Sequence, residues 1–497
     1  MTPVTKDKTN LQKQHLEALI ERYTHRTQAS KLNAQTYRPV MADKSSLGLS
    51  LSPELKGMCY PIVVERAAGS RLWDIDGNEY VDILMGLGIN LLGHNPAFVK
   101  EAIATQLEKG FPIGPQAELA GEVAQLICEL TGAQRVTFSN TGTEAIMTAI
   151  RIARAATNRT KIAIFTNSYH GHSDNTLVRA SFAEYAKQAA RRKIELKIAS
   201  GSWLGWLLRP IQVGLKSSLN PKAVPAASGI PAAVAKDVLV LDYGNPQSLK
   251  VIEAYRQQLA AVLVEPVQSR CPERQPREFL QQLRQVTKSS GIALIFDEMV
   301  TGFRIHLGGA QAWFGIDADI VTYSKIVGGG LPMSVIAGKA AYLDRIDGGL
   351  CNYYGDRSAP QVKTTFFAGT FCKHPLALAA AKAVLQHLRT QGTALQEQLN
   401  QRTSQLVEQL NADMATEGIP LQFTHFGSFF AADNSKSSIS PMASSLLSFH
   451  LLTKGIHSRQ GDKGGFLSTA HTEEDVKYII QAFKDSMREL RAGGFLV

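Results

Sequence analysis

From about residue 116 onward, short apolar runs alternate with stretches of helical periodicity, and few folds satisfy that alternation. Arg135–Phe138, Lys161–Phe165, Ala260–Val264, Ile292–Phe296, Asp319–Ser324 and Ser334–Ala337 read as strands. Ala117–Thr131, Thr143–Ala156 and Leu376–Arg389 read as helices. Strands that alternate with helices imply an α/β fold, a mostly parallel sheet with helices on both faces. Upstream, Leu11, Leu16, Leu19, Ile20 and Tyr23 recur at helical spacing in residues 11–30. Ile62–Ile83 reads as short strands turning at Gly69-Ser70 and Asp76-Gly77, and a last helix runs from Glu473 to about Arg491.

The expected division follows these patterns. Residues 1–50 are an N-terminal helical extension, and 51–115 begin a smaller subdomain. Residues 116–375 form the large domain, and 376–497 a linking helix and C-terminal subdomain. The stretch 179–227 breaks the alternation and reads as an insertion. It carries a basic cluster containing Arg191, Arg192 and Lys193, then an apolar piece with Trp203 and Trp206.

A chain of 497 residues is long enough for a large α/β core with a second domain. The net charge is +10, but no basic–aromatic motif or long like-charge block accompanies it, so no nucleic-acid partner is expected. Five scattered cysteines without a Cys-x-x-Cys pair point away from disulfides and zinc and toward a reducing, cytoplasmic setting. Met1–Gln14 is polar and lacks the apolar core of a signal peptide. No apolar run approaches the ~20 residues that a membrane helix needs, so no membrane span is expected.

Four stretches carry chemistry. Val321–Ser324 is an apolar run that ends at Lys325, with Gly328-Gly329-Gly330 just beyond. Burial of such a lysine disfavours its charged form and leaves an amine able to attack a carbonyl. A snorkelling lysine at a strand terminus is the plainer alternative. Ser139-Asn140-Thr141-Gly142-Thr143-Glu144 joins a strand to a helix and suits a phosphate, or serves as an ordinary helix cap. Asp297-Glu298 ends a buried strand, where a carboxylate needs a partner. That partner is a metal, a proton in catalysis or a protonated ring nitrogen. Metal is the weakest of these, because no histidine or further acid lies at ligand spacing. Tyr169-His170-Gly171-His172 offers either two zinc ligands or a stacking aromatic. All four follow strands, and the C-terminal ends of parallel strands converge on one crevice. An amine, a phosphate cradle, a carboxylate and an aromatic together match the needs of pyridoxal phosphate.

The motifs SNTGTEAIMTAIRIARAATNRTKI, YHGHSD, LVEPV, FDEMVTGFR, SKIVGGGLP, FAGTF and AHTEEDV run in order from about residue 52 to the C-terminus. In these the chain resembles class III (ω-type) aminotransferases of fold type I. Within them it is similar to glutamate-1-semialdehyde aminomutases and to aminotransferase domains of hybrid polyketide/nonribosomal peptide synthases. LEALIERYTHRTQASK and ELRAGGFL favour the synthase-associated group.

The resemblance implies a pyridoxal 5′-phosphate enzyme with a large domain and a smaller N- and C-terminal α+β subdomain. Lys325 would hold the cofactor and carry the proton, and Asp297 would face the ring nitrogen. Tyr169 and Met299 would cover the two ring faces, with Met299 where valine is usual. Thr141, Gly142 and Thr143 would hold the phosphate. Gly369 and Thr370 would reach the cofactor of a neighbouring subunit in a homodimer with shared sites. Glu265 and His170 would support the site, and no metal is implied. Lys463 stands where aminomutases typically have an acidic residue, which points away from an aminomutase outcome.

The implied reaction moves an amino group from an amino acid donor such as glutamate to a keto or aldehyde acceptor. The favoured acceptor is a β-ketoacyl chain on an acyl carrier protein, docked through Arg191, Arg192 and Lys193 with Trp203 and Trp206 as a lid. The alternatives are aminomutase-like intramolecular transfer and, more distantly, a non-catalytic cofactor-binding regulator.

Overall fold

The computed structural model describes residues 3–43, 53–184, 186–187, 190, 194, 221–350, 359–458 and 464–496. Two compact units emerge, one from Met1–Ala102 with Gln391–Val497 and one from Ile103–Thr390. Lys463, Arg191, Arg192, Lys193, Trp203 and Trp206 lie outside the described residues.

The larger unit is built on seven strands. They are β1 (Arg135–Ser139), β2 (Lys161–Phe165), β3 (Val238–Leu241), β4 (Leu259–Val264), β5 (Ala293–Asp297), β6 (Ile320–Tyr323) and β7 (Ser334–Gly338). Their spatial order is β1-β7-β6-β5-β4-β2-β3. Only β7 runs antiparallel to its neighbours, so the other six strands end on the same edge. This is the expected α/β architecture with a mostly parallel sheet. The sequence reading omitted β3. It is a four-residue run, fully buried, separated from the insertion only by the four-residue helix Ala232–Ala235 and its flanking turns, so no helical pattern of ordinary length announces it.

The helix Gly142–Thr157 shows why the sheet is covered. Ile146, Ala149, Ile150, Ile152 and Ala153 are buried on it. They pack with Ile162, Ile164, Leu263, Ile295, Ile320 and Ile336 into one apolar cluster. Each isoleucine buried this way contributes roughly 1.5–3 kcal/mol. At the base of the insertion Val178–Ala180 pairs antiparallel with Ala223–Pro225.

In the smaller unit the three short strands expected between residues 62 and 83 form as Val64–Ala68, Arg71–Asp74 and Glu79–Asp82. Ile456–His457 joins them in parallel, which links the two distant stretches of chain. Asp82 accepts from His94 and His457, both at 2.7 Å, and these bonds hold its carboxyl well below the usual range despite its burial.

The expected single N-terminal helix is two, Pro3–Arg26 and Gln28–Tyr37. Thr27 leaves helical geometry, and its hydroxyl bonds Tyr23 O at 2.8 Å and Tyr60 Oη at 2.7 Å. The Asp76 carboxylate then restarts the helix, accepting from the amides of Ala29 and Ser30 at 2.5 and 2.9 Å. That acceptor comes from a turn 46 residues away, so helical periodicity alone does not reveal the break.

Asp76→Ala removes this cap and is expected to cost about 1–2 kcal/mol. Hydrogen exchange should quicken at Ala29 and Ser30 while amides of β4 keep their protection. Unchanged exchange at those two amides would remove Asp76 as the reason the second helix starts there.

Candidate active site

Lys325 follows β6 after the single residue Ser324, at the start of a short 3₁₀ turn, Lys325–Gly328. Its φ of 52° is in the left-handed region, which a non-glycine residue enters at a cost of order 1–3 kcal/mol. The residue keeps a little surface exposure. Burial pushes its pKa down to about 8, against the nearby carboxylates of Asp297 and Glu265, which pull it up; Arg304 adds a smaller lowering. Of the two sequence readings of this lysine, a desolvated amine describes it better than a snorkelling one.

Asp297 ends β5 and is buried. Its carboxylate sits 2.7 Å from His170 Nδ1 and accepts from the Met299 amide at 3.1 Å. The neighbouring Glu298 faces elsewhere. It accepts from the amides of Ala310 and Gln311 at 2.6 and 3.0 Å and from the Thr301 hydroxyl at 3.0 Å. Burial pushes its carboxyl up to about 7. The two adjacent acids thus divide, Asp297 among the strand ends and Glu298 at the start of the helix Gly309–Phe314.

Glu265 follows β4 and is also buried. One carboxylate oxygen accepts from the Tyr169 amide at 2.9 Å and the other from the Ser269 amide at 3.3 Å. Burial raises its pKa; the nearby His170 opposes this. Tyr169 is half exposed, with the guanidinium of Arg270 5.6 Å from its ring centroid. His172 is exposed and directs only its amide, at 3.3 Å, to Thr143 Oγ1. Among the described residues no three His, Cys, Asp or Glu side chains are placed to hold a metal.

Thr141 caps the helix Gly142–Thr157, its hydroxyl accepting from the Glu144 amide at 3.2 Å, while Glu144 accepts from the Asn140 amide at 2.8 Å. The cap reading of this motif therefore holds. It leaves the next amides, those of Gly142 and Thr143, as the first donors of a helix start, where an anion is stabilised. The cradle is tight. A Cβ on Gly142 would meet Met299 Sδ at 3.0 Å, and one on Gly171 would meet Thr143 Oγ1 at 2.5 Å. Gly369 lies beside Asn140: a Cβ there would come within 3.8 Å of Asn140 Nδ2. Gly369 and Thr370 line a surface cleft of about 380 Å³ with Ile113, Gln116 and Lys373.

Lys325, Asp297, Glu265, His170, Tyr169, Met299 and the Thr141–Thr143 turn are thereby brought to one edge of one sheet. The donor set fits pyridoxal phosphate: a desolvated amine, a buried acid held by an imidazole, an aromatic ring and a glycine-tight helix start. Sequence reasoning missed Arg270 and Ser334. Ser334 Oγ binds both Ser139 Oγ and Thr141 O at 2.8 Å and so ties β7 to the cap. Its only sequence signal is a hydroxyl in an otherwise apolar strand.

A family model described as aminotransferase class-III matches residues 54–199 and 214–476. The chain belongs to that family. A glutamate-1-semialdehyde 2,1-aminomutase of Alkaliphilus oremlandii is 32% identical over 445 residues, 87% of this chain and 92% of that protein. One of Brevibacillus brevis is 33% identical over 443 residues, 86% of this chain and 91% of that protein. Among solved structures, an omega-transaminase from Sphaerobacter thermophilus superposes with a TM-score of 0.76 at 27% identity, covering 93% of this chain and 98% of that one. A β-phenylalanine aminotransferase from Variovorax paradoxus gives 0.75 at 26% identity, covering 97% and 98%.

In the cofactor-free form of this class III aminotransferase, Lys325 should react with formaldehyde and borohydride with a half-point near pH 8, the neutral amine being the reactive form. Asp297→Asn removes a charge that raises the lysine pKa, so the half-point should move to lower pH. Peptide mapping across pH reads both. A half-point near 10.5, the ordinary lysine value, would show an amine that is not desolvated.

Proposed function

We propose that this enzyme binds pyridoxal 5′-phosphate at these strand ends and moves an amino group from an amino acid donor, glutamate being favoured, to a keto or aldehyde acceptor. The observation that carries the reading is the placement of Lys325 at the strand ends that also bear Asp297 and Glu265, where burial lowers its pKa to about 8. When bound, the cofactor supplies a carbonyl carbon that condenses with amines and a ring that draws electrons from the adjoining substrate carbon.

The chain's own residues do the rest. The helix start at Thr141, Gly142 and Thr143 holds the phosphate. Asp297, held by His170 and the Met299 amide, keeps a proton on the ring nitrogen. Tyr169 and Met299 confine the ring. Lys325 anchors the cofactor and, as a neutral amine near pH 8, takes a proton from the donor's substrate carbon onto its Nζ; it would pass that proton to the carbon the cofactor presents, and the direction reverses with the acceptor. Donor and acceptor use this one site in turn.

Gly369 and Thr370 complete the phosphate site of a second copy in a homodimer. An exposed aromatic surface beside them supports this, with Phe111 and Phe371 both flanking His374. Such a surface is apolar area of the kind that interfaces cover. The favoured acceptor is a β-ketoacyl chain on an acyl carrier protein, supported by the resemblance to synthase-associated aminotransferases. Intramolecular transfer on a semialdehyde is the second reading, favoured by relatives such as the Alkaliphilus oremlandii protein that are named as aminomutases.

Lys325→Ala should abolish amino transfer while the protein still retains the cofactor's phosphate end. Borohydride treatment of the wild-type holoenzyme should label Lys325; labelling at another lysine sinks the assignment. Equimolar Lys325→Ala and Thr370→Ala subunits should regain part of the activity that each lacks alone, and a mixture that never exceeds the mean of the parents denies shared sites. Single-turnover absorbance separates the two substrate readings. Glutamate followed by a carrier-bound β-ketoacyl chain should complete a cycle under the first, whereas isomerisation of glutamate-1-semialdehyde with no separate donor identifies the second.

A further inference from the structure

Beside Tyr169 lies a cavity of about 630 Å³. Its floor is apolar, with Ile164, Phe165, Leu177, Val178 and Val240 among its walls. Tyr169 and His170 form one side of it, and Arg270 and Arg179 contribute two cations. No Asp or Glu is among the described residues that line it. A mostly apolar cavity with a few converging polar groups is the usual form of a small-molecule site.

The segment that carries Arg270 is held in place by its surroundings. It follows Ser269, whose amide is bound by Glu265, the same carboxylate that binds the Tyr169 amide. One residue before Ser269, Gln268 Nε2 donates to Thr166 O at 2.8 Å. The segment Glu265–Ser269 is therefore tied at two points to the segment Thr166–Tyr169, and Arg270 emerges over the Tyr169 ring. Its guanidinium is exposed and has no acidic partner among the described residues. A guanidinium without an acid, carried on a restrained segment, is suited to a planar carboxylate, which it can meet with two parallel hydrogen bonds.

We propose that Arg270 anchors a carboxylate of the amino acid substrate, whose chain extends into the cavity beside Tyr169, making Arg270 the residue that selects carboxylate-bearing substrates over simple amines. This rests on the reaction proposed above and names the substrate class it takes. The helix start at Gly142 is given to the cofactor phosphate in that reading, which leaves the two cavity cations, and of these Arg270 is the one set over the Tyr169 ring. A purely structural role, an arginine packed on a tyrosine, predicts no dependence on the substrate's charge.

Three probes distinguish the roles in the holoenzyme. They are L-glutamate, 1-propylamine (the same amine without its carboxylates) and glutarate, which has the two carboxylates and no amine. Arg270→Met should raise the KM for glutamate and the inhibition constant of glutarate by about 10- to 100-fold, the size of a lost charge-assisted pair. The kcat for glutamate and the half-reaction with 1-propylamine should change little, and Arg270→Lys should recover part of the loss. Equal loss with glutamate and 1-propylamine, or glutarate inhibition unchanged in Arg270→Met, overturns the assignment and leaves the aminotransferase reading standing. A wild-type enzyme that transfers from no donor refutes that reading instead. Calorimetric titration with glutarate then still decides Arg270, because binding to wild type that weakens in Arg270→Met needs no turnover.

Discussion

A lysine placed among buried carboxylates is pulled in two directions, and the proposed chemistry depends on which pull is stronger. Burial disfavours the Lys325 ammonium, while Asp297 and Glu265 favour it, and the net is a pKa near 8. Relative to a free lysine this is a shift on the order of 3 kcal/mol toward the neutral amine. Stronger carboxylate influence would leave an ammonium that cannot attack a carbonyl. Both carboxylates are themselves held in place, Asp297 by His170 at 2.7 Å and Glu265 by the amides of Tyr169 and Ser269.

The same groups that set the charge also set the geometry. Glu265 binds two amides from different loops, so one carboxylate both acts on Lys325 and aligns Tyr169 with Ser269. Lys325 stands at a φ of 52°, and such a conformation persists where neighbouring structure over-determines it. Here β6 precedes it and the turn Lys325–Gly328 follows it at once. Met299 contacts both parts of the site: its amide binds Asp297, and its sulfur lies so near Gly142 that a Cβ there would meet it at 3.0 Å and make it shift. A site assembled from short backbone bonds to buried acids has little room to relax, as positioning of a flat cofactor requires.

The adjacent acids Asp297 and Glu298 show how one motif serves two ends. Asp297 is the last residue of β5 and Glu298 the first beyond it, where the chain leaves the sheet. Asp297 turns toward His170 while Glu298 caps the helix Gly309–Phe314, where a Cβ on Gly309 would strike its carboxylate. In sequence the pair reads as a metal ligand, a catalytic base or the counter-ion of a protonated ring nitrogen, with metal the weakest. Its division into a site residue and a helix anchor depends on contacts with residues more than ten positions away.

Periodicity and strand-end chemistry determined much by themselves. Six of the seven strands of the large sheet, the parallel architecture and the cluster of Lys325, Asp297, Tyr169 and the Thr141–Thr143 turn were legible, because each depends on local pattern and on the rule that parallel strands end on one edge. The tertiary structure alone decided what depends on partners far away in sequence. It divided the N-terminal helix at Thr27 through Tyr60 and Asp76, and it inserted β3 beside β2. It joined Glu265 to Tyr169 across 96 residues and set Arg270 over that ring. A hydrogen bond or a desolvated charge is a property of two groups brought together, and a linear sequence names the groups without stating which of them meet.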